Sequence, residues 1–312
     1  MQISLRYIMD LKTTLGCLAV FGSAFCFYLA TVVIKWSSMA GLSIDSALFT
    51  MARFLFGFIT VVIVGIIRKK RIKIVKKRYL VGRAVGNAMA VFCFFKGVEL
   101  TSVAQANILN MTYPLFIAVF SWIFFRHQRD LVSVGIVIMA FAGVWLVLSP
   151  QGIAFSADSL WALASGVAAA FAIIYLNLSR QVHDTHTTLS AMFSIGGILI
   201  FCLFFHKMRM PDFTELQYLF WCSVIAIAGQ YMLTLGFKYV TAIEGGIISS
   251  TRILLAALLG PFIAMDPFLS PVGWTGAFLI FSGNVLLTLR KARQMNSERK
   301  LTSHKSKPLK KL

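Results

Sequence analysis

From Leu15 to Leu289 the chain alternates between apolar blocks of about 20 residues and short polar breaks. A helix rises about 1.5 Å per residue, so roughly 20 residues cross a hydrocarbon core about 30 Å thick. Backbone inside lipid must satisfy its own hydrogen bonds, which helices do. The pattern predicts ten spans, at 14–36, 46–67, 79–98, 102–124, 131–149, 159–179, 187–205, 217–236, 243–264 and 272–289. The expected fold class is an all-α polytopic membrane protein.

Composition sharpens this reading. Hydrophobic residues are 58% and charged residues 13% of the chain, against roughly 25% charged in soluble domains. The net charge of +19 would suit nucleic acid, but its placement argues otherwise. Basic residues gather in a first loop (Arg68, Lys69, Lys70, Arg71, Lys73, Lys76, Lys77, Arg78) and in the tail after Thr288. No aromatic groove is interleaved with them, so anionic membrane lipids are the expected partners, not nucleic acid. Counting Arg83 with the first loop, one side of the membrane holds 24 basic residues and the other holds 4: Lys35, Lys96, Lys207 and Arg209. The remaining two, Arg53 and Arg252, fall within spans. The bias places both termini in the cytoplasm; the expected location is a bacterial inner membrane. The first apolar block is too long for a signal-peptide core and shows no cleavage site, so it is expected to be retained. The five cysteines lie in apolar blocks without a CxxC pair, which predicts neither metal nor disulfide.

The two halves resemble one another. With an offset of 140, Leu100-Thr101-Ser102-Val103 lies over Val240-Thr241-Ala242-Ile243, Gly57 over Gly197 and Gly143 over Gly283. The expected organisation is a cytoplasmic segment 1–13, a first five-helix unit 14–149, a second 159–289 and a basic cytoplasmic tail 290–312. Five is odd, so the second unit enters the membrane upside down. Inverted repeats of this kind surround a midplane site in secondary transporters.

Several residues carry a family likeness. The second span holds Met51-Ala52-Arg53-Phe54, and a short turn from Lys96 to Ala104 joins the third to the fourth. The fourth span carries Tyr113-Pro114, and each half ends on spaced glycines, Gly135 to Gly143 and Gly276 to Gly283. Over about residues 12 to 290 the chain resembles the drug/metabolite transporter superfamily, in its EamA-like ten-helix branch. The resemblance implies transport of small metabolites such as amino acids, sugars, drugs or nucleotide-like compounds including S-adenosylmethionine. One departure stands out. Where the family often has a glutamate after the fourth and ninth spans, this chain has Phe125-Arg126-His127-Gln128 and Met265-Asp266-Pro267.

The candidate site residues are the polar groups inside spans. Arg252 lies deep in the ninth span, beside Ser249, Ser250 and Thr251. A buried cation needs a cavity or a partner. It reads either as an anchor for a substrate carboxylate or phosphate or as a structural arginine bonded to carbonyls. Arg53 is similarly deep in the second span, where packing is the leading role. The fourth span carries Gln105, Asn107, Asn110, Thr112 and Tyr113. Asn107, Asn110 and Tyr113 are spaced by three, which predicts one shared face. Pro114 frees an upstream carbonyl, and Pro261 is placed to bend the ninth span in the other half. Asn87, Gln230 and Tyr231 are weaker additions. His183 and His186, flanking Asp184, read as a solvated turn.

No Asp or Glu lies at the middle of a span, which favours exchange or facilitated diffusion over proton or sodium coupling. No GxxxxGK[ST] loop appears, so ATP is not used directly. The leading expectation is a secondary carrier, not an enzyme and without cofactors, for a small polar or zwitterionic metabolite. An amino acid or its derivative is favoured, S-adenosylmethionine among them. The alternatives are an integral-membrane enzyme acting on lipid, for which no HExxH or GxSxG motif is present, and a non-transporting assembly subunit.

Overall fold

The computed structural model describes residues 2–70, 72–124, 131–148, 157–236, 239 and 242–305. Eleven α-helices are formed there: α1 (Gln2–Met39), α2 (Ser46–Ile67), α3 (Lys77–Leu100), α4 (Val103–Asn110), α5 (Tyr113–Phe124), α6 (Leu131–Leu148), α7 (Ser159–Arg180), α8 (Thr185–Phe204), α9 (Phe213–Gly236), α10 (Ala242–Ile263) and α11 (Pro271–Lys305). Eight described helical segments are long and apolar enough to cross a membrane, and two shorter apolar helices, Val132–Leu148 and Ile248–Ile263, complete the ten predicted spans. Large apolar side chains such as Ile66, Ile67, Ile138, Trp145 and Phe262 stay exposed on the outer faces. In lipid that exposure costs nothing, so these faces are the bilayer-facing surface.

Two differences from the predicted spans have physical causes. First, α1 and α11 run past the apolar blocks, because helical hydrogen bonding continues into polar sequence once it leaves the hydrocarbon. Second, the fourth span is two helices. The chain breaks at Met111-Thr112, between α4 and α5, where Pro114 cannot donate a backbone hydrogen bond. The Asn284 amide donates to the Met111 carbonyl at 2.8 Å. The Thr112 hydroxyl donates to the Leu109 carbonyl at 2.6 Å. Pro261, by contrast, lies inside a continuous α10 and does not divide it.

The packing is nearly the same read from either half. α3 packs along α7 as α1 packs along α9, and α3 meets α8 as α9 meets α2. The pairs α2 with α8, α6 with α11, and α4 with α10 map onto themselves when the halves are exchanged. Each unit crosses the membrane five times, so the second is inverted relative to the first. At the α2–α8 crossing, a Cβ on Gly57 would lie 2.2 Å from the Phe193 ring, and one on Gly196 would lie 2.4 Å from Phe54. The two rings meet edge to face at 6.0 Å. Each helix thus offers a Phe three residues before the Gly that receives its partner's ring. At the α6–α11 crossing, Cβ atoms on Gly143 and Gly276 would each lie 2.7 Å from the other's carbonyl oxygen. The backbones touch there, as small residues permit between membrane helices.

Candidate functional site

The helix caps set the frame. Asp45 precedes α2 and accepts from the Ala47 N–H at 2.8 Å, while Asp184 precedes α8 and accepts from the Thr187 N–H at 3.0 Å. These are equivalent places in the two units, and both caps satisfy orphan donors of a helix start. Between these frames lie the deep polar groups.

Arg252 is ten residues into the 22-residue α10, close to its middle, and is 6% exposed. Its Nη2 donates to Oδ1 of Asn110, the last residue of α4 in the other unit. Asn110 in turn donates to the Ser165 hydroxyl of α7 at 2.8 Å, and that hydroxyl donates to the Ala162 carbonyl at 2.6 Å. The Arg252 Nε is buried with no hydrogen-bond partner. Tyr113 interacts electrostatically with Arg252.

Arg53 and Arg252 come together around one ring. The Arg53 Cζ lies 5.6 Å from the Phe27 centroid and the Arg252 Cζ 6.0 Å from it. Arg53 also faces Phe95 at 5.8 Å, and Arg252 faces Phe94 at 5.3 Å. Cation–π contact offsets part of the cost of burying a guanidinium.

Other predicted residues are placed differently. Asn107 turns away from Arg252 and donates to the Thr31 hydroxyl of α1 at 3.0 Å and to the Val103 carbonyl at 2.8 Å. Gln105 donates to the Val147 carbonyl at 2.9 Å, tying α4 to α6. Gln230 is buried in α9 and Asn87 in α3, while Ser249 and Tyr231 are half-buried. Thr251 donates to the Ile248 carbonyl of its own helix at 2.6 Å.

Arg83 corrects the count of basic loop residues. It sits within α3 and is 5% exposed, with its Nε unpartnered. His183 corrects the reading of a solvated turn. It is buried, and its Nε2 accepts from the backbone N–H groups of Val75 at 3.0 Å and Lys76 at 3.2 Å. The Thr187 hydroxyl accepts from the Lys73 N–H at 3.2 Å. The basic loop is therefore tied to the α7–α8 corner.

On the opposite side, Lys207 reaches Asp45 at 2.7 Å. Burial raises the Asp45 carboxyl, but the Lys207 and Ala47 hydrogen bonds and the Lys207 and Lys96 charges outweigh it. The group is held below the usual carboxylate range. On this same side the Asp266 Oδ2 accepts from the Ala104 N–H at 3.0 Å, capping α4 from the other unit. Burial pushes the Asp266 carboxyl upward, partly offset by the Ala104 and Val103 N–H groups and by Lys35.

The EamA-like transporter family matches residues 14–149 and again residues 158–289. The chain belongs to that family. Among its EamA-like and other transporter relatives, an uncharacterized transporter of Helicobacter pylori (strain J99) is 25% identical over 226 residues, 66% of this chain and 72% of that protein. The uncharacterized inner membrane transporter YicL of Salmonella typhimurium is 24% identical over 265 residues, 80% of this chain and 87% of YicL. The pseudopaline exporter CntI of Pseudomonas aeruginosa is 23% identical over 167 residues, 52% of this chain and 58% of CntI. A solved crystal structure shares the fold with a TM-score of 0.58 at 19% identity, covering 88% of this chain and 98% of that one. This EamA-like protein is a multi-pass integral membrane transporter, and its substrate is a small molecule.

Sequence reasoning missed Phe27, Arg83, Ser165 and Asn284 as parts of this EamA-like polar centre. Phe27 is one of 28 phenylalanines and carries no mark in the sequence. Ser165 lies in a small-residue run that reads as packing alone.

Proposed function

We propose that this protein is a secondary carrier for a small polar or zwitterionic metabolite bearing a carboxylate, working by alternating access with both termini in the cytoplasm. An amino acid or an amino-acid-derived solute, S-adenosylmethionine among them, is the favoured class. One observation carries the reading: Arg252 is buried near the middle of its span, held by Asn110 of the other unit, with its Nε unpaired. A carboxylate oxygen suits that free donor, and a guanidinium can present further N–H groups to the second oxygen. Phe27 and Phe94 beside it offer faces for a flat or apolar part of the solute.

The two rims supply the gates. On the basic side, His183 and Thr187 hold the 73–76 backbone; on the other, Lys207 holds Asp45. Exchanging the two units carries one pair of corners onto the other, so opening one rim while the other stays closed gives two mirrored states. The deep arginines are buried in this structure. With no carboxylate in mid-span, exchange or facilitated diffusion is the proposed mode.

Uptake of a radiolabelled metabolite panel into proteoliposomes tests the reading. The expected result is saturable counterflow of one carboxylate-bearing solute that persists without a proton gradient and is lost in Arg252→Ala. Uptake that needs a proton gradient and no solute on the far side would overturn the mode. Unchanged uptake by Arg252→Ala would overturn the anchor.

A further inference from the structure

Arg53, Arg83 and Arg252 are all more than nine-tenths buried, at 7%, 5% and 6% exposure. Among the described residues, no carboxylate forms an ion pair with any of them; the ion pairs are Lys96–Glu99, Lys207–Asp45 and Arg209–Glu215. Arg53 is within electrostatic range of both Arg252 and Arg83. Arg53 and Arg252 share the Phe27 ring, each within 6.0 Å of its centroid. The Nε atoms of Arg83 and Arg252 lack hydrogen-bond partners.

Two guanidiniums sharing one ring in a low-dielectric interior repel one another, and each buried cation also loses its hydration. Buried charges are ordinarily paired. A fold that keeps two buried cations together with no carboxylate paired to either among the described residues leaves the counter-charge to come from outside. One carboxylate on Arg252 would leave Arg53 unmatched.

We propose that the transported solute carries two anionic groups, one held by Arg252 and the second by Arg53 across Phe27. This deepens the reading of Arg252 as a carboxylate anchor and rests on it. The chemical class is a small solute with two separated anionic groups, such as a dicarboxylate or an acidic amino-acid derivative.

The test is thermal unfolding of the purified full-length protein at fixed ionic strength, with pairs of probes that differ by one charge: succinate against propionate, and glutamate against glutamine. Chloride and hydrogen phosphate are included to separate an inorganic anion from a two-headed organic one. The proposal expects succinate or glutamate to raise the midpoint several degrees beyond its partner lacking the second carboxylate and beyond both inorganic ions. It expects that excess to vanish in Arg53→Gln, and the ligand-free Arg53→Gln protein to be at least as stable as the parent, since repulsion is relieved. An excess that persists in Arg53→Gln, an equal shift from the inorganic ions, or a destabilised ligand-free Arg53→Gln protein would overturn it. If propionate and glutamine stabilise through Arg252 while the second charge adds nothing, the single anchor stands and the two-anion proposal fails. If no probe shifts the midpoint, both fail.

Discussion

Arg252 of the second unit donates to Asn110 of the first, at the point where the fourth span breaks. The bond joins the middle of a continuous helix to the end of an interrupted one. Under the offset of 140, Thr112 of the broken span corresponds to Arg252. One unit therefore spends this position on a backbone break and the other on a cation. Asn110→Ala should leave the Arg252 donor and the Ser165 hydroxyl short of a partner, at a cost of about 1–3 kcal/mol. Urea or thermal unfolding of the purified variant checks this. Asn110→Asp should pair with the arginine, raise stability and block carboxylate transport.

The reciprocal α2–α8 crossing predicts a steric effect that can be rescued. Gly57→Ala places a methyl within 2.2 Å of the Phe193 ring, which must move or the helices must part. Overpacking of this kind costs about 1–3 kcal/mol. Phe193→Leu alone also destabilises, by leaving a gap. The double variant should recover part of the loss, a coupling that a double-mutant cycle measures directly.

His183 predicts local protection. Its Nε2 accepts two backbone N–H groups, from Val75 and Lys76. His183→Ala should speed hydrogen exchange of those two amides by about fivefold, since each lost bond is worth roughly 1 kcal/mol. Exchange within α6 and α11, which pack elsewhere, should not change.

Asp45 predicts an acid limit. Its carboxyl is held below the usual range, so its contribution is present above the ordinary aspartate range and is lost as pH falls through the lowered folded value. The parent protein should lose stability below about pH 4. Asp45→Asn should be less stable at neutral pH and should lose less on acidification. Unfolding midpoints at a series of pH values decide it.

Much of this architecture was legible because lipid allows few solutions. Span positions follow from block length alone, and α2 was predicted to the residue. The break at Met111-Thr112 was half-legible: Pro114 marks a freed carbonyl, but only the fold shows Asn284 taking the one at Met111. Arg83 was read as a loop residue because it follows a basic run, and hydropathy averages over that boundary. Asn107 and Asn110 share a helix and a spacing of three, yet α4 is so short and crowded that the pair diverge, one to α1 and one to α7. The meeting of Arg53 with Arg252 depends on which helices of opposite units touch, which no local pattern records.

The account rests on a polar centre that opens to one side of the membrane and then the other. Ser249 lies one turn before Arg252 on the same helix face. In a variant lacking the five native cysteines, Ser249→Cys should be modified by a membrane-impermeant maleimide applied from either side of sealed vesicles. Prior closure of the site with the transported solute should slow both reactions. Modification from one side only, under every solute condition, would contradict alternating access at Arg252.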